Sequence, residues 1–364
     1  MRALSLQVTK AYSVLEVSMV DFLLLAGNTA DGFSNYFSDI LNDKYVYCIK
    51  GGSGVGKSTF MKEIAKISTL NGINILQVPC SSDINSLDML VLPDRNIAFV
   101  DATSPHSVEP SCYGAKEVIV NLGDFLDCKV LKQYDKELLK LVSDKSVCYK
   151  NCYNALRCSK IAEENVNNIY NKWLKDKKIK SVVNDIFKKF IASDIGSKLC
   201  IKGYLEYLTA DGIKTIFGKV IDNRDIISIK CNNKYCSSKV LNDLLVKINA
   251  MGIATEKYYS IYNTKNLIAL GVYNYIITTI DVDNYSEIYD INEMYDNVGI
   301  KNDLNQILSE RKIFDFSGYN ACNYFAQSRA IHNSIEEYYI KAMDFDKWEE
   351  FKKQFIDKID EYLH

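Results

Sequence analysis

The chain is short of arginine, of histidine and of net charge. Six arginines stand against 38 lysines, three histidines are present, and 44 basic residues nearly balance 46 acidic ones over 364 positions. A net charge of −2 and a pI near 6.0 argue against a protein whose main task is to coat a phosphate backbone, because such binders carry a basic stripe. No clear nucleic-acid partner is expected. Long apolar runs are missing too. The stretch from residue 12 to residue 26 is apolar on average, but Glu16 and Asp21 interrupt it, short of the ~18 clean residues of a spanning helix. No charge-free secretory segment stands out. The expectation is a soluble, cytoplasmic protein with no membrane partner. Paired cysteine spacings are also absent: the eleven cysteines read as reduced thiols and not as a disulfide framework. Cys148, Cys152 and Cys158 match no closed zinc pattern and read as buried thiols. What the chain does have is a 48% apolar content, too much for a disordered polymer, and length for two domains with a core each.

The strongest local signal is Gly51-Gly52-Ser53-Gly54-Val55-Gly56-Lys57-Ser58, which fits G-x-x-x-x-G-K-[ST]. The apolar run Tyr45-Val46-Tyr47-Cys48-Ile49 before it reads as a buried strand. After it, Phe60, Met61, Ile64, Ala65, Ile67 and Leu70 follow helical spacing until Asn71-Gly72 stops the helix. A second strand is expected from Ile73 to Val78, and a third at Ile97-Ala98-Phe99-Val100, ending in Asp101. Strand, glycine loop, helix, and a later strand ending in a carboxylate predict a P-loop core.

The chain also repeats. Shifted by 180 places, residues 22–101 match 202–281 with fifteen identities, among them Thr29-Ala30-Asp31-Gly32 on Thr209-Ala210-Asp211-Gly212 and Asp101 on Asp281. A second offset, 169, pairs Ser159-Lys160 with Ser328-Arg329 and Tyr170 with Tyr339. Such self-similarity marks a tandem duplication. At the glycine loop the copies diverge: Gly51 to Thr59 becomes Cys231 to Lys239 without a glycine, and Lys57 falls on Ser237. Side chains at 231, 235 and 236 would crowd a bound phosphate, so the second copy should keep the fold and lose the ligand.

Leu25-Ala26-Gly27-Asn28-Thr29-Ala30-Asp31-Gly32-Phe33, the glycine loop, Cys80-Ser81-Ser82-Asp83 through Ser86-Leu87-Asp88, and Asp101-Ala102-Thr103-Ser104-Pro105-His106 together carry a family likeness. The chain resembles tandem P-loop ATPase-like proteins of spore-forming Gram-positive bacteria, built from two P-loop halves, over nearly its whole length beyond the first twenty residues. The resemblance implies ATP in preference to GTP. It departs in the second half, where the family usually keeps a P-loop.

The expected fold is α/β: two tandem P-loop NTPase-like three-layer units with mostly parallel sheets, spanning 1–195 and 196–364, each followed by helices (about 129–192 and 301–363). In the first unit Gly51, Gly52, Ser53, Gly54, Val55, Gly56, Lys57, Ser58 and Thr59 would cradle the phosphates of ATP or GTP. Lys57 would bridge the outer ones, and Ser58 with Asp101 would hold Mg²⁺. No glutamate follows Asp101, so an activating base must come from Asp83, Asp88, His106 or Glu109; Asp83 and Asp88 read equally well as turn or N-cap acids. In the tail, Ile335, Tyr338, Tyr339, Met343, Trp348, Phe351, Phe355, Ile359 and Leu363 form an apolar stripe that packs on its own sheet, on the other half or on an oligomer partner. The function expected is slow Mg²⁺-dependent hydrolysis at one site of an intramolecular pseudo-dimer. A small-molecule kinase and a nucleotide-gated interaction protein with its own partner are the alternatives.

Overall fold

The computed structural model describes residues 22–191, 200–221 and 224–363. The expected unit boundary at 195/196 and most of the apolar stretch at 12–26 lie outside them. Strands β1 (Ala26–Thr29) and β2 (Gly32–Asn35) form a hairpin. The Thr29 hydroxyl closes its turn by donating to Gly32 O at 2.7 Å. Then come α1 (Ser38–Leu41), β3 (Tyr45–Lys50), α2 (Lys57–Leu70), β4 (Leu76–Cys80), β5 (Asp83–Leu92), β6 (Ile97–Asp101) and β7 (Glu117–Asn121). Three helices follow: α3 (Cys128–Lys132), the 38-residue α4 (Asp135–Lys172) and α5 (Asp176–Ile191). The second half runs in the same order: β8 (Ile201–Tyr204), β9 (Glu206–Thr209), β10 (Gly212–Thr215), α6 (Phe217–Val220), β11 (Asp225–Lys230), α7 (Lys234–Ala250), β12 (Glu256–Tyr259), β13 (Leu267–Val272), β14 (Tyr275–Thr278), β15 (Glu287–Asp290), α8 (Asn297–Asn302), α9 (Leu304–Ala342) and α10 (Phe345–Leu363). Thr209 repeats the hairpin device, donating to Gly212 O at 2.7 Å.

The two large sheets have strand orders β4-β5-β6-β3-β7 and β8-β12-β13-β14-β11-β15. Without β8 they coincide strand for strand. In the first half residues 22–25 take the place of β8, Phe22 bridging Gln77 in parallel. The architecture is α/β with mixed sheets, which corrects the expectation of mostly parallel ones. Three of the five pairings of the six-stranded sheet are parallel, but those of the five-stranded sheet divide evenly. The cause is β5, a strand not among the three expected in this half, whose polar first residues hide all but its Met89–Leu92 end. Only residues 81–82 join it to β4 and residues 93–96 to β6, and connections that short return a strand antiparallel.

Alternation along each strand sorts its side chains between two cores. On β3, Val46 and Cys48 face a cluster shared by both sheets, with Met89, Val91, Ala98 and Val100 from one and Ile226, Tyr258, Ile268 and Ile276 from the other. Ile49 and Tyr47 face the opposite way, onto α2 and α10. The second sheet likewise turns Ile227, Ile229 and Ile277 toward α7 and α5. Each sheet therefore carries its long helices on one face and shares the other. This differs from self-contained three-layer units.

The helical tails are exchanged. Antiparallel α4 and α9 cross between the halves, so that α5, from the first half, packs Ile179, Val183 and Ile186 against Val240, Leu241 and Leu244 of α7. The second half's α10 packs Trp348 and Ile359 against Phe60, Met61 and Ile64 of α2. Backbone pairing anchors each crossing: Asp127 N donates to Ala342 O at 2.8 Å and Asp344 N to Phe125 O at 2.9 Å, while Lys175 N donates to Met294 O at 2.7 Å and Asp296 N to Trp173 O at 2.8 Å. The second set is the first one moved by the tail offset of 169. The apolar tail stripe thus packs on the other half; the side chain of Leu363 lies outside the described residues. Of the three cysteines read as buried thiols, Cys152 is buried and Cys158 exposed. No described helix is long and apolar enough to cross a membrane.

Candidate functional site

Strand β3 ends at Lys50 and α2 begins at Lys57, leaving a six-residue turn. Gly51, Gly54 and Gly56 have φ of 151°, 72° and 88°, a region that glycine enters without the steric cost of a Cβ. A Cβ on Gly51 would also come within 2.7 Å of Val55. The 14-residue α2 points its unpaired N-terminal N–H groups and the positive end of its dipole at the space before this turn. Val55 is buried in the core and Thr59 exposed; the other turn residues, Lys57 and Ser58 are half-buried. Lys57 Nζ donates to Gly52 O at 2.7 Å and Gly51 O at 3.2 Å, and stands 3.7 Å from Asp101 Oδ2. Ser58 Oγ accepts from Leu87 N at 2.9 Å.

The acids divide into two groups. Parallel pairing of β6 with β3 sets Asp101 opposite Ile49, at the strand end beside the turn. Thr103 holds Asp101 Oδ1 through its N–H at 3.0 Å and its hydroxyl at 2.6 Å. Asp88 sits inside β5, 3% exposed, which removes the turn and N-cap readings for it. His106, 7% exposed, lies in the loop after β6 under the rings of Phe33 and Phe37. Its Nε2 is 3.6 Å from Asp88 Oδ1 and 3.9 Å from Asp101 Oδ1. Asp88 Oδ2 and both imidazole nitrogens are buried without a hydrogen-bond partner. Burial, together with the neighbouring Asp101 carboxylate, pushes the Asp88 carboxyl up to about 7. Burial holds His106 below its usual value, Lys57 adding to that effect and Asp101 opposing it.

Asp83 and Glu109 stand apart from this cluster. The Asp83 carboxylate accepts from Asn85 N at 3.1 Å and lies 3.5 Å from Arg329. Glu109, 71% exposed, pairs with Lys50 at 2.5 Å.

Sequence reasoning missed the groups that the exchanged helices bring in. Glu336, Tyr339 and Ile340 of α9 lie along the glycine turn, with His332 and Arg329 on the preceding turns of the same helix. A Cβ on Gly52 would enter the Tyr339 ring, and Gly54 faces Glu336 and Ile340. Gly56 faces the Trp348 indole of α10. His332 stands 3.3 Å from Glu336, and this contact, with the charges of Arg329 and Lys57, holds the Glu336 carboxyl below its usual range. Lys145 of α4 joins the group: burial lowers its pKa, and Arg329 and Lys57 lower it further against the pull of Glu336. Their sequence signals are the pairings of Arg329 with Lys160 and of Tyr339 with Tyr170 at the tail offset, and the places of Tyr339 and Trp348 in the apolar stripe.

In the second half the turn has closed. Only Cys231–Asn233 separate β11 from α7. Buried Asn233 donates to Asn167 of α4 at 3.2 Å. The side chains of 235 and 236, expected to crowd the loop, lie outside the described residues. Strand register also corrects the repeat alignment. Ser228 pairs with Thr278 as Cys48 pairs with Val100, so Thr279, and not Asp281, stands where Asp101 does. The β13–β14 connection is two residues shorter than β5–β6, which shifts everything after it. The place of Asp88 is taken by Ile268, 4% exposed. The shared fold therefore needs neither acid. Comparison of the chain with family models, with curated proteins and with solved structures gives no match.

Proposed function

We propose that the chain binds a nucleoside triphosphate, ATP in preference to GTP, with Mg²⁺ at the single P-loop Gly51–Thr59, and hydrolyses it slowly. The observation that carries this reading is the left-handed glycines of the turn set before α2, together with Lys57 held 3.7 Å from a strand-end Asp101. Backbone N–H groups of the turn and the first turn of α2 would take the phosphate oxygens. Lys57, now folded onto the Gly51 and Gly52 carbonyls, would turn to the outer phosphates. Ser58 and Asp101 fit Mg²⁺: both are hard oxygen donors, and Asp101 Oδ2 faces the turn while Thr103 fixes its other oxygen. When bound, the cation neutralises charge on the transferred phosphoryl group. Arg329 of α9 and Lys145 of α4, on the two helices that cross between the halves, add positive charge there.

The second half acts as the fixed partner of a pseudo-dimer, its own loop closed by Asn233. The family likeness of the sequence supports the same reading. A nucleotide-gated interaction protein is a second reading, favoured because α9 and α10 rest on Gly52, Gly54 and Gly56, so that a change in the turn on ligand binding would reach them. The kinase alternative is weakened by the ion pair that occupies Asp83. Calorimetric titration with a non-hydrolysable ATP analogue and Mg²⁺ tests the proposal. One site per chain, lost in Lys57→Ala, is expected; equal binding by the variant would overturn it.

A further inference from the structure

We propose that Asp88, Asp101 and His106 hold a first-row transition-metal ion of the Mn²⁺–Zn²⁺ series, at a site separate from that of the nucleotide's Mg²⁺ and joined to it through Asp101. This rests on the reading above only in the position of that Mg²⁺. One ligand atom from each of the three residues lies within 4.8 Å of the others, and the two edges at His106 are 3.6 and 3.9 Å. Edges of that length surround a cation at roughly 2.1–2.5 Å, the range of metal–nitrogen and metal–oxygen bonds.

The second, independent observation is what these atoms lack. Buried polar atoms are almost always hydrogen-bonded, yet here three of them, His106 Nδ1 and Nε2 and Asp88 Oδ2, lie together with no partner. Two carboxylates a few ångströms apart in a dry site repel each other; a dication between them would replace repulsion with attraction. The second sheet, with the same strand order, fills the corresponding places with Ile268 and Thr279 and has no such cluster among its described residues. The group is thus not a requirement of the fold.

Ligand chemistry selects the ion. An imidazole with two carboxylates suits Mn²⁺, Fe²⁺, Co²⁺ or Zn²⁺, whereas Mg²⁺ prefers an all-oxygen octahedron. The ring is already oriented by Phe33 and Phe37, and Asp101 by Thr103, as supporting groups orient metal ligands elsewhere. One group opposes the cation: Lys57, 3.7 Å from Asp101. Removing it should tighten metal binding while abolishing nucleotide binding, which separates the two proposals.

The test uses the full chain, stripped with chelator and free of nucleotide. Mn²⁺ is titrated with loss of its free-ion paramagnetic resonance signal as readout, and Co²⁺ with its visible absorption bands. One Mn²⁺ per chain is expected, displaced by Zn²⁺ but not by a hundredfold excess of Mg²⁺. Affinity should fall at least tenfold in His106→Ala and in Asp88→Asn, and should hold or rise in Lys57→Ala. Circular dichroism and thermal melting of each variant separate lost ligation from lost folding, and His106→Gln offers a second, near-isosteric variant. Absence of Mn²⁺ binding to wild type, undiminished binding by His106→Ala and His106→Gln, or equal displacement by Mg²⁺ would each overturn the assignment. Any of these could occur with nucleotide binding intact.

Discussion

Replacing Asp88 by asparagine should stabilise the chelator-treated protein, and by an amount set by pH. The carboxyl is 3% exposed, and burial beside Asp101 pushes it from its ordinary 3.8 to about 7. Because the folded value is the raised one, the acid favours folding where it is protonated in both states, and that contribution is lost as pH climbs through about 7. Asparagine is nearly isosteric and cannot ionise. Below pH 4 the variant and wild type should differ little. Between pH 4 and 7 the unfolded wild-type chain ionises and the folded one resists. The gap in favour of the variant therefore widens and levels off above pH 7. At 1.36 kcal/mol per pKa unit its ceiling is about 4 kcal/mol, and relaxation and water entry would leave about 2–4. Urea unfolding of both proteins with chelator at pH 4, 6 and 8 reads the difference directly. A variant less stable than wild type at pH 8, or a difference independent of pH, would refute the reasoning.

Three other perturbations probe separate parts of the structure. Arg329→Ala should weaken binding of a non-hydrolysable triphosphate analogue about tenfold, with a smaller effect on the diphosphate, because it removes a positive charge whose field reaches Glu336 beside the glycine turn; fluorescence titration of both ligands measures this. Trp348→Ala should cost about 3–5 kcal/mol in chemical unfolding, since the indole is 2% exposed between Phe60, Phe125 and Phe351. Its loss should also expose the glycine turn to faster amide exchange. Glu256→Ala should cost a further 3–5 kcal/mol by the same assay, because it leaves Arg224, bonded to it at 2.6 and 2.9 Å with both side chains 6% exposed, as an unpaired buried charge. Glu256→Gln should recover part of it.

Whatever depends on neighbouring residues was legible in the sequence. Glycine spacing, the apolar face of α2 and the bounding strands are local signals, and the structure sets Lys57, at the start of α2, 3.7 Å from Asp101. The duplication was legible too, since turn residues such as Thr209 and Gly212 keep a hydrogen bond that few residue types can make. β5 was not foreseen over its full length because Asp83–Ser86 is mostly polar and Asp88 interrupts the buried run from Leu87 to Leu92, so that only pairing with β4 and β6 extends it to ten residues. Equating Asp281 with Asp101 failed for a geometric reason: a hairpin shortened by two residues keeps the side-chain alternation and so leaves no trace in an apolar pattern. The exchange of α5 and α10 could not be read at all. An amphipathic helix states which face it buries and not on which half it buries it. For that reason Lys145 and Arg329, far from the glycine turn along the chain, gave no hint of standing beside it.

The most direct test of the central claim is a crystal structure of the full chain soaked with a non-hydrolysable ATP analogue and Mg²⁺. The triphosphate should lie on the amides of residues 51–58, with Lys57 turned off the Gly51 and Gly52 carbonyls, and residues 231–238 should bind nothing. An undisturbed first turn at saturating analogue, or phosphate density at the second, would contradict the account.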